Sequence, residues 1–196
     1  MKSLLRWTGV LGLCGLLQLS LVAGVAAKGV DTGVEEAFKA QVSQRIGQGK
    51  KVYFAAPMFS QADKNYNLEI VKVLEDYGYQ VFLPQRDGIE AAQLEGKTEE
   101  ELTEMIFGLD ASEVKKADII FMNIDGRVPD EGACVELGIA YANGKRCYGF
   151  KTDTHSVELG LDLNPMISGC MIKIFKNFDG NQLKEEMKQY LSKNAL

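Results

Sequence analysis

Short apolar segments alternate with amphipathic segments along most of the chain. The apolar segments predict strands at residues 51–56, 80–83, 118–122, 146–150 and 171–175. Between them, apolar residues recur at helical spacing, which predicts helices at 61–77, 99–116, 131–143 and 182–191 and a shorter helix at 34–46. Strands that alternate with helices in this way predict an α/β fold, in which a five-stranded parallel sheet is covered by helices on both faces.

The loops that follow the predicted strands are the expected place of a ligand site. In open parallel sheets, ligands bind beyond the carboxyl ends of the strands. Four such loops begin near Pro57, Pro84, Asn123 and Lys151. The loop that begins near Asn123 leads into a predicted helix, and Asp130 is in the right position to cap that helix through its carboxylate.

Glu136 is an unusual carboxylate within the helix that follows Asp130. Its neighbours three and four positions away are Gly132, Ala133, Ile139 and Ala140, none of which can pair with its charge. We therefore expect the carboxylate to face the interior or a cleft, which is costly unless function requires it. The alternative is that it lies on a solvated edge of the helix. A carboxylate in a strand-end cleft suits attack at the anomeric carbon of a sugar, while a second acid protonates the leaving group.

Residues 1–27 differ in character from the rest of the chain. They contain no acidic residue, and the cations Lys2 and Arg6 precede a long apolar run that ends in small side chains at Ala27. This pattern predicts a signal peptide and an exported protein, either periplasmic or secreted. Two alternatives remain open. About 20 apolar residues can span a bilayer, so residues 4–27 would also serve as an uncleaved membrane anchor. The other alternative is a buried N-terminal helix.

Length and charge narrow the function classes further. The chain has 196 residues, with 22 Lys+Arg against 27 Asp+Glu and a formal net charge of -5. This balance argues against a nucleic-acid polymer as the main partner, because phosphate backbones need clustered cations. The single histidine, His155, argues against a multi-histidine metal site and leaves the acid–base chemistry to carboxylates, although a Ser-His-Asp hydrolase needs only one histidine. We expect one domain at 51–196, after a helical lead-in at 28–50.

Several motifs occur in an order that is typical of one family. They are Tyr53 and Phe59 in the segment YFAAPMF, Asp110 ahead of the third strand, Asp130 six residues before Glu136 in VELGIAYA, and Asn164-Pro-Met166. Through these motifs, residues 51 to about 175 resemble the nucleoside 2-deoxyribosyltransferase family. The resemblance implies a single flavodoxin/Rossmann-like domain and a reaction that requires no metal or organic cofactor.

The resemblance also implies a catalytic role for four residues. Glu136 corresponds to the nucleophile, which attacks C1′ of a 2′-deoxynucleoside and displaces the base. Tyr53 corresponds to the tyrosine beside this glutamate, and it would orient the carboxylate. Asp110 falls where the family has an acid that contacts the leaving base. Asp130 corresponds to the aspartate that holds the sugar hydroxyls.

Five further residues are candidates for binding the substrate. By resemblance, Phe59 packs on the nucleoside, whereas Asn164 and Met166 extend into the site of a neighbouring subunit, which implies a homo-oligomer. Gln85 lies in the second strand-end loop, where an amide side chain can read the edge of a base. Gly132 would let a substrate approach the backbone closely. The implied partners are therefore a deoxynucleoside and a free purine or pyrimidine base.

Two other functions remain open at this point. A related branch of the family hydrolyses deoxynucleoside 5′-monophosphates, and usually carries a first loop rich in Ser, Arg and Gly. The loop here reads AAPMFS and has no arginine, which favours free nucleosides, while Arg86 and Arg127 leave a nucleotide substrate open. The other alternative is a non-catalytic nucleoside or nucleotide sensor. The presence of all three carboxylates, Asp110, Asp130 and Glu136, argues against it.

Overall fold

The sheet has five strands, and all of them run in parallel. This computed structural model describes residues 47–156 and 161–196. The strands are β1 (Lys51–Ala55), β2 (Gln80–Phe82), β3 (Ile119–Asn123), β4 (Arg146–Lys151) and β5 (Lys173–Lys176). They are arranged in the order β2-β1-β3-β4-β5, and each neighbouring pair is parallel. This order is that of the flavodoxin-like fold, so the predicted fold class is confirmed.

Four long helices and three short ones accompany the described strands, and the last long helix follows β5. They are α1 (Gln61–Asp76), α2 (Pro84–Asp87), α3 (Ala91–Leu94), α4 (Glu99–Lys116), α5 (Glu131–Ala142), α6 (Pro165–Ser168) and α7 (Gly180–Leu191). The four long helices were all predicted, with ends that differ by no more than two residues. The short helices were not predicted, because four residues are too few to show a helical period.

The helix ends follow from capping residues in the sequence. The side chains of Ser60, Thr98 and Asp130 each accept a hydrogen bond from a backbone N–H in the first turn of α1, α4 and α5. The cap predicted at Asp130 is therefore confirmed. Gly78 follows the end of α1 with φ of 86°, a conformation that residues with a Cβ rarely adopt.

Successive residues of β1 face opposite sides of the sheet. Val52 and Phe54 pack in a core with side chains of α1 and α7. Tyr53 and Ala55 pack in a second core with side chains of α4 and α5. This alternation follows from the two-residue period of a strand, and it places Tyr53 on the same side of the sheet as the helix that carries Glu136.

The predictions for the N-terminal part of the chain lie outside the described residues. They concern the signal peptide or anchor at 1–27 and the helix at 34–46. Within the two described stretches, no helix combines the length and the apolar character needed to cross a membrane.

Candidate active site

Tyr53 and Glu136 meet in the core between the sheet and α5. The Tyr53 hydroxyl donates a hydrogen bond of 2.6 Å to Oε1 of Glu136, across 83 residues of sequence. Tyr53 is fully buried, and its ring stacks on Phe82 with 5.6 Å between the centroids. The prediction that Glu136 faces the interior or a cleft is confirmed, because its carboxylate is half-buried and its partner comes from β1 rather than from its own helix.

The first turn of α5 fixes Asp130 close to the position of Glu136. Oδ1 of Asp130 accepts a hydrogen bond of 2.7 Å from the N–H of Ala133. Glu136 follows Asp130 by six positions, about 1.7 helical turns, so both side chains belong to the N-terminal half of the helix. A Cβ at Gly132 would lie 3.2 Å from Oδ1 of Asp130, so glycine keeps the capping carboxylate uncrowded.

Asp110 approaches the same tyrosine from α4. Its carboxyl group is half-buried, and burial raises its pKa above the usual value, although the Tyr53 hydroxyl partly offsets this effect. Asp110 and Glu136 both raise the pKa of Tyr53 in turn, in addition to the larger effect of burial. Tyr53 therefore holds its proton between two carboxyl groups.

The electrostatic environment of Glu136 favours its neutral form. Burial raises its pKa from 4.5 to about 7, and the nearby carboxylates of Asp110 and Asp130 add to this effect. The hydrogen bond from Tyr53 acts in the opposite direction, since it stabilises the ionised carboxylate. Near neutral pH, Glu136 consequently exchanges a proton readily, as expected of a group in a reactive site rather than on a solvated edge.

A cavity of about 480 Å³ lies between α4 and α5 and gives access to these carboxyl groups. Its charged lining residues are Glu99, Asp110 and Glu136, and no cation is found in its described lining. The rest of the lining is mainly apolar, from Leu102, Ile106, Phe107, Val135 and Ile139. Apolar walls with a few polar groups are typical of sites that bind flat organic molecules.

Cavity volume alone would favour a different part of the surface as the candidate site. A larger surface depression, of about 710 Å³, lies between α1 and α7. Charged and polar side chains form most of it, and none of the predicted site residues lines it. The smaller cavity is the candidate site because it combines apolar walls with carboxyl groups of raised pKa.

Four predicted binding residues do not line this cavity. Phe59 and Met166 are 82% and 80% exposed. Asn164 caps α6, where its Oδ1 accepts a hydrogen bond from the N–H of Met166. The amide of Gln85 is hydrogen-bonded to groups of α1. Their roles toward a substrate therefore stay predictions.

Arg86 and Arg127, which left a nucleotide substrate open, lie in different environments. Arg86 donates hydrogen bonds to Asp87, to Glu75 and to the carbonyl of Val81, so its guanidinium is held by neighbouring groups of the chain. Arg127 is exposed on the loop between β3 and α5. In the described part of the chain, no group of His, Cys, Asp and Glu is arranged to hold a metal ion.

Sequence reasoning missed a set of buried polar side chains beneath the strand-end loops. Asn67 and Asn123 are 0% and 4% exposed and are hydrogen-bonded to each other. On α1, the neighbours of Asn67 toward the core are Ile70, Val71 and Leu74. The residues three and four positions before Asn67 are Lys64 and Asp63, which could pair with a polar side chain, so the reasoning that singled out Glu136 did not single out Asn67.

The fold and the site can now be compared with known proteins. The model of the family described as nucleoside 2-deoxyribosyltransferase matches residues 52–191. Comparison with curated protein sequences gives no significant match.

Among solved structures, a conserved protein from Enterococcus faecalis is similar at 26% identity and a TM-score of 0.56, covering 71% of this chain and 98% of its own. The 2-deoxyribosyltransferase of Bacillus psychrosaccharolyticus shows 27% identity and a TM-score of 0.55, covering 74% and 98%. The CMP N-glycosidase of Clostridium botulinum, at 17% identity and a TM-score of 0.51, covers 72% and 100% and shares the fold.

The family match, the flavodoxin-like sheet and the carboxyl groups around Tyr53 agree with one another. They indicate an enzyme that transfers glycosyl groups or cleaves N-glycosidic bonds, and that acts on nucleosides and bases. This chain belongs to the nucleoside 2-deoxyribosyltransferase family.

Proposed function

We propose that this protein transfers the 2-deoxyribosyl group of a nucleoside from one base to another, through an ester with Glu136, and serves nucleoside salvage or catabolism. The observation that carries the proposal is the hydrogen bond from Tyr53 to Glu136, beside an apolar cavity that Asp110 also lines. The matching family and the 2-deoxyribosyltransferase of similar structure support the same reaction.

In the first step, the ionised Glu136 attacks C1′ of the nucleoside. Oε1 accepts the hydrogen bond from Tyr53, so Oε2 is the oxygen that forms the new C–O bond. The bond between C1′ and the base nitrogen breaks, and its electron pair leaves with the base. Asp110 donates a proton to the departing base, a role that its raised pKa favours.

In the second step, a new base takes the place of the first. Its nitrogen attacks C1′, the ester bond breaks, and Glu136 leaves as a carboxylate. Asp110, now ionised, accepts the proton that the incoming nitrogen loses. Water can attack in the same way, which would give hydrolysis. The apolar walls of the cavity favour a flat base over water, and therefore favour transfer.

The charge of the cavity supports a nucleoside rather than a nucleotide as the substrate. Three carboxyl groups line it, and a 5′-phosphate placed there would be repelled. Arg86 does not relieve this, since Glu75 and Asp87 hold its guanidinium. We propose that Asp130 binds the neutral sugar hydroxyls, and that exposed Asn164 and Met166 complete the site of a neighbouring subunit in a homo-oligomer.

A base-exchange assay with the purified full-length chain tests the proposal. Incubation with 2′-deoxyinosine and adenine should give 2′-deoxyadenosine and hypoxanthine. Without an acceptor base, intact-mass measurement should show one deoxyribosyl adduct, which peptide mapping locates on Glu136. Release of hypoxanthine without exchange would identify a hydrolase instead. Nucleoside binding with no product after long incubation would identify a sensor.

We also propose that residues 1–27 direct export and are then removed. The only tryptophan, Trp7, lies in this segment. Protein recovered from a secreting host should therefore show no tryptophan fluorescence, and its N-terminal residue should lie near position 28. Tryptophan emission from membrane-bound protein would identify the segment as an uncleaved anchor.

A further inference from the structure

Asn67 joins three of the strand-end loops through a single buried side chain. Its Nδ2 donates hydrogen bonds to the carbonyl of Pro57, at 2.8 Å, and to Oε1 of Gln85, at 3.0 Å. Its Oδ1 accepts a weaker hydrogen bond, of 3.4 Å, from Nδ2 of Asn123. Pro57 and Gln85 follow β1 and β2, and Asn123 is the last residue of β3, so one amide connects the carboxyl ends of three strands around the expected crevice.

Burial of this amide is costly unless its polar atoms are satisfied. Asn67 has no exposed surface, and it uses both N–H groups and its oxygen. An apolar replacement would leave the Pro57 carbonyl without this donor. Because Asn67 is fully buried, it cannot contact a substrate, and any effect on binding must pass through a residue that it holds.

Gln85 is the residue through which such an effect would pass. Its Nε2 donates a hydrogen bond of 2.9 Å to the carbonyl of Lys64, and its Oε1 accepts one from Asn67. A rotation of the amide by 180° would place oxygen against the Lys64 carbonyl and nitrogen against the Asn67 donor. The two contacts therefore allow only one orientation, which leaves one N–H and one lone pair of half-buried Gln85 for a ligand.

The hydrogen bonds continue beyond Asn123 into the fourth loop. Oδ1 of Asn123 accepts from the N–H of Asp125 at 2.9 Å. The Asp125 carboxylate in turn accepts from the N–H and hydroxyl of Thr152 and from the N–H of Asp153. In return, the Asp153 carboxylate accepts from the N–H of Gly126. The loop that leads to the catalytic helix is thus fixed to the same polar network.

We infer that Asn67 is a positioning residue that sets the orientation of the Gln85 amide and, through it, the choice among bases by the hydrogen-bonding groups on their edges. The inference rests on the proposed function, since that function supplies purine and pyrimidine bases as ligands. It also rests on the predicted contact of Gln85 with the base, because Gln85 lies outside the lining of the cavity between α4 and α5. The observation behind it is geometric: a buried donor and a backbone acceptor hold one amide from opposite sides.

Asn67→Asp is the variant that tests this orientation. It keeps the volume and the acceptor for Asn123, but replaces the donor with an oxygen that faces the Pro57 carbonyl and Oε1 of Gln85. We compare adenine with unsubstituted purine as acceptors from 2′-deoxyinosine, and measure the binding of both free bases to the full-length chain by calorimetry. The preference for adenine, in kcat/KM and in binding, should fall about tenfold, mainly through KM.

Three further variants separate positioning from general destabilisation. Tyr66→Phe removes a long hydrogen bond from the neighbouring residue of α1 to the carbonyl of Gly180, and should leave the base preference unchanged. Asn67→Ser retains one donor and should give a smaller loss than Asn67→Asp. Gln85→Leu should remove the same preference, and its combination with Asn67→Asp should lower the preference no further.

Each outcome of these measurements decides one of the two claims. If the parent protein exchanges bases and Asn67→Asp keeps its preference, the positioning role is wrong and the proposed function stands. If no exchange occurs but the preference in binding is lost in Asn67→Asp, transfer is wrong and the positioning role stands. A parent protein without base preference, or failure of both Asn67 variants to fold, would overturn the positioning role.

Discussion

The two faces of the sheet use aromatic side chains in different ways. On the face covered by α1 and α7, the rings of Phe54, Phe121 and Phe150 all contact one another and Phe175 contacts Phe121, with centroids 6.0–6.2 Å apart. On the face covered by α4 and α5, Tyr53 stacks on one ring and directs its hydroxyl at Glu136. Residues adjacent in sequence therefore serve stability on one side and, in the proposed function, chemistry on the other.

This division means that a loss of stability and a loss of activity should be separable by mutation. A buried apolar ring stabilises the fold in proportion to the surface it removes from water. The Glu136 carboxylate is retained at a cost in stability near neutral pH and above, since burial raises its pKa from 4.5 to about 7. Four experiments compare the two faces, from the largest expected effect to the smallest.

Glu136→Gln should lower base exchange by at least ~10³-fold, because the amide cannot form the ester. The shape of the side chain is unchanged, so far-ultraviolet circular dichroism should match that of the parent. The rate is measured with 2′-deoxyinosine and adenine at saturating concentrations. Retained turnover in Glu136→Gln would show that the chemistry does not depend on this residue.

Phe54→Ala should lower the free energy of unfolding by about 3–5 kcal/mol, because it opens a cavity in the stacked aromatic core. The molecules that remain folded should keep the parent kcat, since the ring faces away from Glu136. Urea unfolding and exchange kinetics at low temperature give the two quantities. A large fall in kcat without loss of stability would contradict the division between the faces.

Tyr53→Phe should lower exchange near neutral pH by about 10²-fold, since it removes the one hydrogen bond donated to Glu136. It should also raise the pKa of Glu136, because the lost bond favours the ionised form. The midpoint of the rise in rate with pH should therefore shift upward. An unshifted profile would mean that Tyr53 does not act on the ionisation of Glu136.

The pH dependence of stability should reveal the buried carboxyl group directly. In the folded chain the pKa of Glu136 is raised from 4.5 to about 7, so its neutral form is favoured by folding. The stabilisation is fully present below about pH 4.5 and is lost as pH rises through about 7. Glu136→Gln should thus raise the thermal midpoint relative to the parent at pH 8 and much less at pH 5. Equal differences at both pH values would refute the raised pKa.

The sequence could predict the elements that depend on periodic patterns and local caps. The strands, the long helices and the cap at Asp130 each depend on a pattern of residues that are close in sequence. These predictions are confirmed. The short α6 lacks such a signal, although it carries two candidate binding residues, Asn164 and Met166. Their exposure in the single chain leaves the role in a neighbouring subunit as a proposal.

Reasoning from the chemistry of single residues reached the candidate site only where a residue was anomalous in its own surroundings. The catalytic roles expected of Tyr53, Asp110 and Asp130 came from the family resemblance. Glu136 stood out because its helical neighbours cannot pair with it. Its partner Tyr53 did not stand out, since an aromatic residue is ordinary in a strand and only the fold brings the two together. The contacts of Asp125 with Thr152 and Asp153 span 27 and 28 residues, and no local pattern links them.

The side chain of Asn67 bears on how this protein could change its base preference. Each of its hydrogen bonds has a fixed direction, so a replacement in one loop changes what the other two loops require. We expect base preference to drift by concerted exchanges at several loop positions, rather than by single substitutions at residue 85. Grafting a loop from a relative with another preference should fail unless the residues that contact position 67 are exchanged with it.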